Sequence, residues 1–156
     1  MAYKIGQGAT IFDIIEAMDE VLQQEGWVVH EQSAQTYDGQ ARLSYAIWEG
    51  SGDGNDKIYL QAHIPEDENQ DMYLDSMAGY DHKLYWFEQP GSIQQWLKCD
   101  GRSYVNIPKF TVSGDERFSY WVYADTYHVV GVARMSIVYE SFYAGFINPI
   151  ASERQY

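Results

Sequence analysis

Two short stretches carry the residue types of a hard-cation site. In "EGSGDGND" the side chains of Asp53, Asn55 and Asp56 offer oxygen ligands, and in "PEDENQD" Glu66, Asp67, Glu68 and Asp71 do the same. Neither stretch has the Asp-x-Asp-x-Asp-Gly run and distal Glu of an EF-hand loop. The reading their spacing favours is a pair of charged loops that stay solvated and discourage sheet edges from pairing. His30, His63, His82 and His128 are scattered, with no His-x-x-x-His or Glu-x-x-His spacing that would converge imidazoles on a hydrolytic metal. No Gly-x-Ser-x-Gly elbow is present, and Cys99 has no local activating signature. Paired carboxylates for glycoside hydrolysis would have to converge across a cleft, which spacing alone cannot reveal. No cofactor, no metal and no catalytic residues are therefore expected, and the chain is read as a non-enzyme.

Aromatic residues are the unusual component: 14 Tyr, 5 Trp and 6 Phe make up 16% of the chain. Trp86, Trp96 and Trp121 are of the type that stacks on sugar rings, although packing in a core or an interface is the commoner use of a large aromatic. Trp86 and Trp96 are the candidates for ligand stacking.

The bulk charge narrows the partners. With 10 Lys plus Arg against 23 Asp plus Glu, the formal net charge is −13, the wrong sign for neutralising phosphates or adsorbing to an anionic membrane. Nucleic acid is not an expected ligand. No apolar run approaches the roughly 20 residues that span a bilayer, so no membrane insertion is expected. The single Cys99 allows no intrachain disulfide, and "MAYKIGQGAT" lacks the basic start and apolar stretch of a secretory signal, which fits synthesis in a cytoplasm.

"TIFDIIEAMDEVLQQEG" predicts a helix, with Thr10 to cap it, Asp13 three positions on and Gly26 to end it. Ile11, Ile15, Met18 and Leu22 form an apolar stripe flanked by Phe12, Ile14 and Val21, and Asp13, Glu16, Glu20 and Gln24 form the wet face. After Gly26 the period changes to two. "WVVHEQ" at 27–32 reads as a strand; "ARLSYAIW" at 41–48 sets Ala41, Leu43, Tyr45 and Ile47 against Arg42 and Ser44; and "KIYLQAHI" at 57–64 sets Ile58, Leu60, Ala62 and Ile64 against Lys57, Tyr59, Gln61 and His63. The loop at 49–56 makes the last two strands an antiparallel pair. Further strands are predicted near 72–78 and 84–88, then a helical turn in "SIQQWLK", then "RFSYWVYA" and "HVVGVARMSIVYESFYAGFI". The class is α+β: one N-terminal amphipathic helix packed on a mainly antiparallel β-sheet or sandwich, with 1–156 as a single domain.

The end of the chain, "YESFYAGFINPIASERQY", is apolar up to Ile150 and needs something to lie against. The segment from Arg117 to Tyr156 resembles one found in virion structural proteins of tailed bacteriophages and prophages. The resemblance is carried by the pattern Tyr-Glu-Ser-x-Tyr-x-Gly-Phe-x-x-Pro, here Tyr139, Glu140, Ser141, Tyr143, Gly145, Phe146 and Pro149. Upstream, "DKIYLQAHI" and "DMYLDSMAGY" look like that family's paired strands. Ser152-Glu153 stands where the family has Thr-Pro, and Ile150 where an aromatic is common. Relatives of this kind continue with Pro-Tyr-Pro and a further domain, so the resemblance implies that this is the N-terminal portion of a longer chain. It also implies a structural or assembly role in the virion, associated with the tail, with synthesis in the bacterial host cytoplasm and with other virion proteins or further copies of itself as partners. A receptor- or glycan-binding module using exposed aromatics is the alternative, and a hydrolase acting on the host envelope a more distant one. Tyr139, Tyr143, Gly145, Phe146 and Pro149 are the expected interface residues: Tyr143 and Phe146 as anchors, Gly145 permitting close backbone approach, Pro149 ending sheet pairing.

Overall fold

The helix expected after Thr10 is present as α1 (Ile11–Gln24) in the computed structural model, which describes residues 1–52, 57–66, 68–92, 109–113 and 116–145. Thr10 is extended (φ −142°, ψ 166°), and the Asp13 carboxylate accepts the backbone N–H groups of Ala9 and Thr10 at 2.8 and 3.1 Å. At the other end Gly26 takes a φ of +82°. The N–H of Gly26 bonds the carbonyl of Gln23 and that of Trp27 the carbonyl of Leu22, a Schellman termination. Ile11, Ile14 and Ile15 are weak helix formers, by up to about 0.7 kcal/mol each, yet all three are fully buried. Burial contributes about 1.5–3 kcal/mol per side chain, so packing wins over propensity.

The strands are β1 (Ala2–Gly8), β2 (Val28–Tyr37), β3 (Gln40–Gly50), β4 (Ile58–His63), β5 (Asp71–Met77), β6 (Lys109–Thr111), β7 (Phe118–Ala124), β8 (His128–Met135) and β9 (Val138–Gly145). They form two antiparallel sheets, a four-stranded one in the order β1-β7-β8-β9 and a five-stranded one in the order β2-β3-β4-β5-β6. Helix α1 lies against β1 and β7 of the first and β3 of the second, while β9 meets β4, β5 and β6. Being covered from two sides explains why the buried face of α1 is broad rather than a stripe, with Ile14, Ala17 and Val21 joining Ile11, Ile15, Met18 and Leu22. The buried apolar residues, from Ala2 to Ala144, form one cluster. The α+β class with a helix on mainly antiparallel sheets is the observed architecture.

Several local expectations are corrected. Strand β1 was not anticipated from the sequence, because its inward positions are Ala2, Lys4, Gly6 and Gly8 and its large residues, Tyr3 and Ile5, point outward. The rings of Tyr120 and Phe118, the register partners of Gly6 and Gly8, fill the space a side chain would take there. Residues 84–88 are not a strand but include a 3₁₀ turn at Trp86–Glu88. The fully buried Gln89 organises that loop: its Nε2 donates to the carbonyls of Asp81 and Leu84 at 3.0 and 3.1 Å, and its Oε1 accepts the N–H of Asp81 at 2.9 Å. A side chain thus does locally what a neighbouring strand would otherwise do. The run from 128 onward is a hairpin, broken at Ser136 (φ +57°) and Ile137 without any Gly, Asn or Pro to announce the turn.

On β3 the residues that join the core cluster with the helix are Ala46 and Trp48, the opposite set from the one the alternation favours. Arg42 shares that face; it reaches Asp13 at 2.8 Å and Glu16 at 2.9 Å, so these two helix residues are ion-paired rather than simply wet. Trp48 is completely buried, and its Nε1 donates to Asp19 Oδ1 at 2.8 Å. Residues 93–98 of the "SIQQWLK" turn, with Trp96, and Cys99 lie outside the described residues.

Candidate interaction face

Strand β9 contains Tyr139, Glu140, Ser141, Tyr143 and Gly145 of the C-terminal motif, and it completes the four-stranded sheet as an edge strand. Its inward residues are Phe142 and Ala144, 8% and 5% exposed. Tyr139 and Tyr143 point to the other side and are 61% and 45% exposed. The buried anchor is therefore Phe142, packed edge-on against Phe110 with ring centroids 4.9 Å apart, and not Tyr143. Gly145 does allow a close approach, but within its own sheet. A Cβ there would overlap the carbonyl oxygen of Tyr127 and lie 2.6 Å from the Cα of His128, at a φ of +135°. Phe146 and Pro149 lie outside the described residues.

Register assembles the outward side chains into rows across all four strands. Ile5, Trp121, Val132 and Ser141 form one row; Tyr3, Tyr123, Val130 and Tyr143 form the next; Gln7, Ser119, Arg134 and Tyr139 form a third. Arg134 is the one permanently charged side chain in these three rows, on a chain whose net charge is −13. Its guanidinium sits 5.8 Å from the Tyr139 ring centroid. Tyr143 stacks on His128 at 5.4 Å, and His128 in turn lies 3.1 Å from Asp125. Burial first, and the Asp125 carboxylate second, hold the Tyr143 hydroxyl above the ordinary phenol range. Strand spacing and rise put the footprint of these rows at roughly 400 Å², the size of the largest apolar patches on soluble monomers.

Sequence reasoning identified Tyr139 and Tyr143 but missed Tyr3, Ile5, Trp121, Tyr123, Val130 and Val132 as their neighbours. The alternation in "YKI" is a usable signal, but in "SYWVY" Tyr120 and Val122 on the covered side are as apolar as Trp121 and Tyr123 on the open side, so no period of two stands out.

Trp86 lies on the opposite flank of the molecule's second sheet, half-buried. One side of its indole packs on His63 at 4.6 Å, and His63 stacks on Tyr73 at 5.2 Å. Burial pushes the His63 imidazole down to about 4, so it is neutral at physiological pH, and its Nδ1 has no hydrogen-bond partner among the described residues. Beside Trp86 a cavity of about 600 Å³ opens between β2, β3 and the β4–β5 loop. Trp96, the other residue expected to stack, is outside the described residues.

The remaining histidines are dispersed: His30 bonds Glu49 at 2.6 Å, and His82 lies 3.9 Å from Asp81. Among the described residues no three His, Cys, Asp or Glu side chains converge as a metal site. Asp71 is taken by Thr111 Oγ1 at 2.7 Å and by Lys109 at 3.6 Å, while Asp53, Asn55, Asp56 and Asp67 fall outside the described set. No helix among the described residues is long and apolar enough to cross a membrane. No protein-family model matches the chain, and no curated protein matches it.

Proposed function

We propose that the protein is a non-enzymatic structural or assembly component of a tailed phage or prophage particle, associated with the tail, that contacts a neighbouring virion subunit through the outer face of the four-stranded sheet. The observation that carries the reading is the position of Tyr139 and Tyr143: the exposed aromatic residues of the virion-like motif lie on the same nearly uncharged face as Tyr3, Ile5 and Trp121. A footprint of roughly 400 Å² is about half of what one partner contributes to a stable binary interface. That suits one contact among several in a repeating assembly better than a tight dimer in solution. The acidic charge keeps the remaining surface from adhering to nucleic acid or to itself.

Deleting β9 would remove Phe142 and Ala144 and uncover the core they cover, so point substitutions are the sharper test. Trp121→Glu and Tyr139→Glu, both on exposed positions, should leave the melting transition within a few degrees of wild type and should prevent incorporation into particles. Normal incorporation of both variants would remove the assembly reading. The purified chain is expected to be monomeric at micromolar concentration and to show no turnover of peptidoglycan or capsular polysaccharide. Robust turnover, lost on substituting a single carboxylate, would replace this reading with that of an envelope hydrolase.

A further inference from the structure

The cavity beside Trp86 does not end there. It shares Gln35 and Glu66 with a second cavity of about 390 Å³ that reaches Tyr37, so the two form one trough along the end of the five-stranded sheet. Both volumes lie within the range of small-molecule sites. Aromatic rings stand at each end, Trp86 and Tyr45 at one and Tyr37 at the other, with Ser33, Gln35 and Glu66 between them.

The aromatic side chains are braced before any ligand arrives. Trp86 rests on His63 and meets Phe87 edge-on at 5.4 Å; the Tyr45 hydroxyl donates to Gln61 Oε1 at 3.2 Å; Tyr37 packs on Phe12 at 5.1 Å, and its hydroxyl accepts from Asn69 Nδ2 at 2.6 Å. Held rings cost little further entropy when something stacks on them. Between the rings, an amide, a hydroxyl and a carboxylate offer the mixed donors and acceptors that paired sugar hydroxyls require.

We propose that this trough binds a short neutral oligosaccharide, with a pyranose ring stacked on Trp86 and hydroxyl groups held by Gln35 and Glu66. The trough's charge decides for a neutral ligand. Among the described residues that line it, Glu66 is the acidic side chain and none is Lys or Arg, His63 is uncharged at neutral pH, and the net charge of the chain is −13. Sulfated or carboxylated glycans and nucleic acid would be repelled. The proposal stands apart from the assembly face, with which the trough shares no residue.

The test is a chemical-shift titration of the full 156-residue chain with maltotriose, cellotriose, chitotriose and a galactose trisaccharide at millimolar concentration. At least one of them should give saturable shifts at the Trp86 indole N–H and the Gln35 side-chain amide. Trp86→Ala and Gln35→Ala should each weaken that binding by about ten-fold or more, the loss of a stacking partner or of a hydrogen bond to the ligand. Because Trp86→Ala also removes a contact to His63, Gln35→Ala carries the weight: it should melt as wild type does while binding is lost. Absence of saturable shifts with all four sugars, shifts that persist in Gln35→Ala, or tighter binding of a heparin trisaccharide or a tyrosine-rich peptide at these positions would each overturn the proposal.

Discussion

The ring of Phe142 covers Gly131, its register partner on the neighbouring strand, so closely that a Cβ at position 131 would overlap ring carbons Cε1 and Cζ. The pair joins β8 to β9 on the buried side of the sheet and lets Phe142 reach Phe110 of the other sheet. Gly131→Ala is expected to destabilise the chain by about 1–3 kcal/mol through overpacking, and Phe142→Ala by about 3–5 kcal/mol through the cavity it leaves. In the double variant the new methyl group occupies part of that cavity, so urea melts should show a loss smaller than the sum of the two. Strict additivity would mean that the two positions do not share that space.

Gly145 is constrained in the same sheet by backbone rather than by a ring. Gly145→Val should lower stability of the isolated chain by more than about 2 kcal/mol, since it combines a positive φ with overlap onto Tyr127 and His128. A thermal melt of the purified variant checks this. An unchanged melt would show that the strand end can move away from β8.

The Asp13 carboxyl is held below its ordinary value of 3.8. Burial by itself would raise it, but the N–H groups of Ala9 and Thr10 and the Arg42 guanidinium outweigh that penalty. A folded-state value below the unfolded one means that the stabilisation is present above the ordinary carboxylate range and is lost as pH falls through that range toward the folded value. Asp13→Asn should cost about 1–2 kcal/mol at pH 7, and the difference from wild type should shrink below about pH 4. Urea denaturation at pH 7 and pH 3 measures both quantities.

His63 acts in a higher window. Its folded value of about 4 lies below the ordinary 6.5, so the unfolded chain binds the extra proton first, and stability falls as pH drops from 6.5 toward 4. The loss attributable to this residue is on the order of 2–3 kcal/mol. His63→Phe keeps the stacking on Tyr73 and Trp86 and removes the titration, so it should flatten the stability profile between pH 6.5 and 4. A profile as steep as that of wild type would assign the acid sensitivity to another group.

What the sequence determined by itself is what depends on neighbours along the chain. Asp13 and Gly26 set the ends of α1 because cap chemistry is local, and Ile58, Leu60, Ala62 and Ile64 announced β4 and its buried side because the period of two is a property of extended backbone. Asp38-Gly39, both at positive φ, carries an equally local hairpin signal between β2 and β3. Tertiary structure decided which side of each remaining strand is covered, because burial depends on what stands opposite. Gly6, Gly8 and Gly131 read as breaks in a pattern until Tyr120, Phe118 and Phe142 are seen filling their places. For the same reason Ala46 and Trp48 join the core while Tyr45 faces the trough, and Tyr139 and Tyr143 lie on an open sheet face while Phe142 between them is the anchor. A residue's type sets how much burial would stabilise it; the partner across the sheet sets whether that burial occurs.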